Sequence, residues 1–97
     1  SLGNRKILTE NLVSSITGYI PLFRGIIALL GKEPPVRQNE VILALSKAAD
    51  INTEVFIKVL KAKHEKIKYS IEEFNTIFED YYTATEKLGD IVDAITD

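Results

Sequence analysis

The sequence predicts an all-α protein, arranged as an up-and-down four-helix bundle in one domain that covers residues 1–97. Apolar residues recur at three- and four-residue steps over two long segments, which is the period of one helix face. Gly, Pro and a Ser–Glu helix-start motif separate these segments from two shorter amphipathic ones. No strand-like alternation competes with this interpretation. Short connections make consecutive helices antiparallel, so we expect the first and last helices to pack side by side.

The first helix is predicted over about residues 5–30. Pro21 lies inside it, has no N–H to donate and clashes with the carbonyl of Thr17, so we expect the helix to be kinked or split near Pro21. Gly31 suits the C-cap position. Pro34-Pro35 prevents the helix from continuing beyond it.

Two short helices follow, the second over about residues 38–49 and the third from Asn52 or Thr53, either of which can cap it, to about Lys66. Ser70 and Glu73 then form a capping box, the clearest helix start in the chain. The fourth helix continues to Ile95 and would be almost 40 Å long, at about 1.5 Å per residue. Its apolar stripe is rich in aromatic residues, among them Phe74, Phe78, Tyr81 and Tyr82.

Composition sets limits on the kind of protein. The chain is 45% apolar and 27% charged, as in globular domains, and it has no uninterrupted apolar run of the roughly 20 residues that span a bilayer. We therefore expect a soluble, cytoplasmic protein without a membrane partner. The chain has no cysteine, which excludes disulfides and thiolate metal sites. It also has no methionine, which suggests a segment of a longer protein.

Charge divides the chain into two parts. Residues 1–68 carry 11 Lys or Arg against 6 Asp or Glu, whereas residues 69–97 carry one Lys against 8 acidic residues. The charges of +5 and −7 give the net charge of −2. Such asymmetry marks either a partner surface or simply the solvated faces of amphipathic helices.

No catalytic signature is present in the sequence. The chain lacks a Gly-Ser turn followed by closely spaced acidic residues on a strand, an arrangement that grips a triphosphate and holds magnesium. Gly31-Lys32 follows an apolar helix instead of opening one, so it is not a phosphate loop. His64 stands alone, and a metal site needs several ligands. We therefore predict no catalytic residue, no metal ligand and no cofactor in this chain.

One segment nevertheless carries a recognisable pattern: LFR, then a Gly, then a Pro-Pro turn that opens the next helix. The segment is residues 22–45, LFRGIIALLGKEPPVRQNEVILAL. This pattern resembles the C-terminal helical domain, HEPN-like or substrate-binding, of bacterial and archaeal nucleotidyltransferase-type proteins. HEPN ribonucleases carry an Arg, four to six residues and then a His. Here residues 57–59 are Ile, Lys and Val, so His64 has no such Arg, which argues against ribonuclease activity.

The resemblance implies a non-catalytic domain that packs against a nucleotidyltransferase catalytic domain and helps to form the acceptor-substrate side of its cleft. Magnesium and the nucleoside triphosphate would then belong to that catalytic domain. The contact candidates are Tyr19, Arg24, Lys61 and His64, of which only Arg24 matches the family pattern. Arg24 could instead form an internal ion pair. In the other interpretation, Arg24 and Tyr19 line a concave surface beside Pro21.

Two other functions remain open from the sequence. A free-standing interaction module could self-associate as a homo-oligomer through the aromatic stripe of the last helix. Alternatively, residues 45–55 faintly resemble the turn of a DNA-binding helix-turn-helix, with residues 53–66 as the reading helix. Asp50 stands where Gly is usual, and a pI of 5.4 disfavours binding to phosphates by the whole domain, so nucleic acid is an unlikely partner.

Overall fold

The computed structural model describes residues 2–96, with side chains from Asn4 to Thr96, and it is all-α as predicted. The described residues form four helices: α1 (Leu2–Leu29), α2 (Gln38–Ala49), α3 (Glu54–His64) and α4 (Ile71–Thr96). The helix boundaries lie close to those expected from capping residues and apolar periodicity. Local sequence signals therefore indicated the approximate ends of the helices.

Pro21 does not split the first helix. α1 continues without interruption from Leu2 to Leu29 with Pro21 inside it, so of the two expected outcomes, a kink or a split, the split is excluded. Pro21 deprives the Thr17 carbonyl of its usual helical donor, which should cost about 3 kcal/mol. Packing on both sides of the proline opposes this cost, because Ile16 and Phe23 are both fully buried.

α1 is also long and apolar enough to cross a membrane, judged by length and composition alone. The segment from Asn4 to Leu29 reaches that length and composition without an uninterrupted apolar run, because neutral Ser, Thr and Gly residues stand among its apolar ones. The same helix carries one side of the protein core. Of the apolar window that meets this criterion, 28% is buried in the protein, so core packing accounts for only part of its apolar residues.

Gly31 ends α1 as predicted. Its φ of 84° lies in the left-handed region that glycine adopts without a Cβ clash. Its N–H donates to the Ala28 carbonyl at 3.0 Å, and the Lys32 N–H donates to the Ile27 carbonyl at 3.1 Å. These two bonds form a Schellman motif, which satisfies carbonyls that the helix end would otherwise leave unpaired.

Of the two predicted capping residues at the start of α3, only Asn52 makes a side-chain capping bond. Asn52 Oδ1 accepts a hydrogen bond from the Glu54 N–H at 2.9 Å. The Thr53 hydroxyl makes no capping bond. It donates to the Ile42 carbonyl at 3.1 Å, and Thr53 is only 2% exposed. Asn52 thus supports the helix start, whereas Thr53 fixes the α2–α3 connection against α2.

The predicted capping box at the start of α4 is confirmed. The Glu73 N–H donates to Ser70 Oγ at 3.1 Å, and the Ser70 N–H donates to Glu73 Oε1 at 3.0 Å. The pKa of the Glu73 carboxyl is lowered first by its hydrogen bond from the Ser70 backbone N–H and second by the Ser70 side chain. The carboxylate form of Glu73 therefore stabilises the first turn of α4.

Three aromatic rings join the helices at the centre of the core. Phe23 of α1 stacks on Phe56 of α3 with ring centroids 5.5 Å apart, and Phe56 meets the edge of Tyr81 of α4 at 5.7 Å. Phe23 and Phe56 are completely buried. The remaining buried apolar residues surround them: Leu12, Val13, Ile16, Ile26, Ile27, Val41, Ile42, Leu45, Val55, Val59, Ala62, Ile77, Ala84 and Leu88.

The helices pack in a different order from the one expected. α1 makes most of its contacts with α2 and α3, and α4 packs mainly on α3, so side-by-side packing of α1 and α4 is not the principal contact. The reason is that α3 places Phe56 between the rings of α1 and α4. α4 still approaches α1 at Tyr81, whose pKa is raised by burial, with an opposing influence from Ser15. The Tyr81 hydroxyl has no hydrogen-bond partner of good geometry among the described residues.

We expect Phe56→Ala to destabilise the protein by about 3–5 kcal/mol, because it removes a fully buried ring that contacts two other helices. Phe74→Ala should cost less, since Phe74 is only half-buried. Urea denaturation followed by circular dichroism measures both losses. Equal losses in the two variants would contradict the central position of Phe56.

The capping box makes stability depend on pH in a defined direction. The lowered pKa of Glu73 means that its stabilising effect is complete above the pKa of an unfolded glutamate, about 4.3, and is lost as the pH falls through the lower folded value. Glu73→Ala should therefore be less stable than the wild type at neutral pH, and this difference should shrink in acid. Thermal unfolding of both proteins across that pH range measures it, and a difference independent of pH would count against the carboxylate.

Candidate anion-binding groove

An open groove of about 740 Å³ lies between α1, the beginning of α2 and the end of α3. Polar and basic side chains share it with an apolar floor. It is lined by Val13, Thr17, Gln38, Asn39, Leu43, Ile57, Leu60, Lys61, Lys63 and His64. We call this feature the α2–α3 groove.

The basic side of the groove comes from the last turns of α3. The buried residues of α3 face the core. The residues beside them on the helix therefore lie toward the groove or solvent. Lys61 and His64 are three residues apart and therefore share one face of the helix, and both are exposed. Lys63 is exposed beside them and also lines the groove. Three nitrogen-bearing side chains are thereby presented within little more than one helical turn.

The opposite side of the groove is the beginning of α2. Gln38 and Asn39 are the first two residues of this helix, and Gln38 Nε2 donates to Thr17 Oγ1 of α1 at 3.5 Å. Arg37 occupies the N-cap position without making a side-chain capping bond. The first N–H groups of α2 therefore have no side-chain cap, and this positive end of the helix dipole lies beside the groove.

Apolar side chains form the floor of the groove. Val13, Ile57 and Leu60 reach it from the core side, and Leu43 of α2 is 54% exposed at its edge. A ligand that fits has an apolar or flat part for this floor and an anionic group for the lysines. A phosphorylated aromatic molecule combines these properties.

The four predicted contact residues do not come together. Lys61 and His64 both line the α2–α3 groove, whereas Tyr19 and Arg24 do not. Tyr19 stacks on Phe23 with ring centroids 5.9 Å apart and is partly buried at the edge of the core. Burial is the main cause of the raised pKa of Tyr81 in α4, and Tyr19 also raises that pKa.

Arg24 has a structural role in the described part of the chain. Its guanidinium Nη1 donates to the carbonyl of Pro35, the second proline of the Pro-Pro turn. The internal partner that we expected is therefore a backbone carbonyl and not a carboxylate. Arg24 fastens the α1–α2 connection to α1, and through that connection it fixes where α2 begins.

Several residues of the groove were not indicated by the sequence. Lys63 belongs to a visibly basic stretch, but Thr17, Gln38 and Asn39 are uncharged and match no motif. Only the fold shows that these polar residues face the end of α3. Within residues 2–96, no three His, Asp or Glu side chains come together as a metal site would require.

Comparison with other proteins adds no family assignment. The chain matches no protein-family model, no curated protein and no solved structure.

We expect Arg24→Ala to destabilise the protein by about 1–3 kcal/mol, because the partly buried Pro35 carbonyl loses a charged donor. Arg37→Ala is the matched control, since Arg37 is exposed and makes no side-chain capping bond. Chemical denaturation measures both variants. An Arg24→Ala protein as stable as the wild type would show that the bond contributes little and would return Arg24 to the set of contact candidates.

Proposed function

We propose that the chain is a non-catalytic helical domain that helps to form the acceptor-substrate side of a nucleotidyltransferase, with the catalytic domain, magnesium and nucleoside triphosphate supplied elsewhere. The α2–α3 groove would receive an anionic part of the acceptor. The observation that carries this proposal is the convergence of Lys61, Lys63 and His64 with the uncapped start of α2 over an apolar floor. The LFR–Gly–Pro-Pro pattern supports the connection with nucleotidyltransferases.

Each lining residue has a distinct part in this proposal. Lys61 and Lys63 would supply positive charge to a phosphate or carboxylate, and the first N–H groups of α2 would donate to the same anion. Gln38 and Asn39 would hydrogen-bond polar atoms nearby, and Ile57 with Leu60 would contact the apolar part. None of these residues needs to exchange a proton, so the domain would bind and orient the acceptor without performing chemistry.

We propose an up-and-down four-helix bundle as the arrangement that supports this groove. The connections 30–37, 50–53 and 65–70 are short, which favours antiparallel consecutive helices. In such a bundle the end of α3 and the beginning of α2 would lie at the same end of the molecule. The shared lining of the groove by Gln38 and His64 is consistent with this arrangement.

The experiment is a nuclear magnetic resonance titration of the labelled chain with inorganic phosphate and then with AMP. We expect shift changes concentrated at Gln38, Asn39, Lys61 and His64, with AMP binding more tightly because its base covers the apolar floor. Lys61→Ala should weaken AMP binding about tenfold, the usual effect of losing one charge-assisted hydrogen bond. The matched control is Lys58→Ala, because Lys58 lies one turn earlier on α3 but lines a depression that faces α4.

Two results would contradict the proposed groove. Equal weakening of AMP binding by Lys61→Ala and Lys58→Ala would show that surface lysines attract AMP without a defined site. Resonance shift changes spread over all lysines would lead to the same conclusion. Strongly salt-dependent binding to duplex DNA would instead favour the helix-turn-helix alternative. The nucleotidyltransferase connection has its own test: ATP with magnesium should bind a longer natural protein that contains this chain more tightly than it binds the chain alone, because the catalytic domain would hold the metal-bound triphosphate.

A further inference from the structure

α4 carries an aromatic stripe at the border between core and solvent. The stripe consists of Phe74, Phe78 and Tyr82, four residues apart, and adjoining rings lie 5.7 Å and 5.5 Å from each other. Phe74 and Phe78 are half-buried, and Tyr82 is 58% exposed. Ile71, at the start of the helix, is 63% exposed. Exposed aromatic and aliphatic surface in one row is typical of an interface.

A second groove lies at the Phe74 end of this stripe, and we call it the basic groove. It has a volume of about 690 Å³ and an apolar floor that includes Ala62, Ile67 and Phe74. Its rim carries more positive than negative charge. The basic residues are Arg5, Lys6, Lys63, Lys66 and Lys68, and the acidic residue is Glu10. Arg5 Nη1 donates to the Tyr69 carbonyl at 3.0 Å, which ties the beginning of α1 to the α3–α4 connection.

The exposed face of α4 has the complementary properties. Glu79 lies three residues before Tyr82, and Glu86 lies four residues after it. All three side chains therefore share one helix face. Asp90 follows one turn later. A protruding aromatic ring flanked by carboxylates is complementary in polarity and charge to an apolar floor rimmed by lysines.

We propose that a second copy of this chain occupies the basic groove, in a symmetric dimer with the two α4 helices antiparallel and centred on Phe78. Phe74 and Tyr82 each lie four residues from Phe78, so this register places Tyr82 of each copy against Phe74 of the other. Beyond it, Glu86 and Asp90 of one copy lie beside Lys66 and Lys68 of the other. The same surface serves both copies, which gives a closed, isologous interface.

Charge is the reason to assign the groove to a second copy. The basic groove requires a partner that is acidic and carries an exposed aromatic side chain, and α4 of this same chain has both. Aromatic residues at the centre with charged residues outside them are the usual composition of protein interfaces. The dimer would use a different surface from the α2–α3 groove, although Lys63 lines both.

The first test is sedimentation equilibrium of the whole chain over a range of concentrations up to about 100 μM, where a dimer of micromolar affinity would predominate. We expect a dimer that dissociates as salt is added, because the flanking charges are exposed. Tyr82→Asp should be monomeric with an unchanged circular dichroism spectrum. Val36→Asp is the matched control, because Val36 is 88% exposed but lies in the α1–α2 connection, and it should remain dimeric.

A charge exchange tests the register. Replacing Lys66 and Lys68 by Glu should weaken the dimer about tenfold, and further replacement of Glu86 and Asp90 by Lys should restore it. A monomeric wild type over the whole concentration range would overturn the proposal. A Tyr82→Asp protein that remains dimeric, or a charge exchange without restoration, would overturn the α4 interface.

Discussion

The contact of Phe56 with Phe23 and Tyr81 is the interaction on which the rest of this structure depends. α3 is the shortest helix, yet its one phenylalanine contacts rings from both long helices. Direct contact between α1 and α4 is limited, so α4 is held mainly through α3. Because α3 also supplies Lys61, Lys63 and His64 to the α2–α3 groove, the packing of Phe56 determines where that basic surface lies.

Much of the fold was predictable because the relevant signals are local. Gly31 and the Ser70–Glu73 capping box need only a few neighbouring residues to act, and the structure confirms both. The effect of Pro21 was not predictable in the same way. Its local penalty opposes tertiary packing on both of its sides, and a sequence does not reveal the size of that packing contribution.

The candidate site was predictable only in part, and for a similar reason. Lys61 and His64 share a helix face, so their common position follows from the period of α3. Gln38 and Asn39 lie beside them because the α1–α2 connection folds back on α1. The hydrogen bond from Arg24 of α1 to the Pro35 carbonyl holds this connection in place. Arg24 stood out in the sequence as a cation among apolar residues, but the sequence could not distinguish a ligand from a backbone carbonyl as its partner.

The separation of charge along the sequence becomes a separation of surfaces in the fold. The basic part of the chain ends with α3 and its connection to α4, and the acidic part is almost entirely α4. Lys63 lies where the two proposed surfaces meet, because it lines both the α2–α3 groove and the basic groove. A cation engaged by a carboxylate on one side attracts an anion on the other side less strongly. If the second copy also brings a carboxylate to Lys63, ligand binding and self-association would oppose each other there, and by linkage each would weaken the other by the same factor.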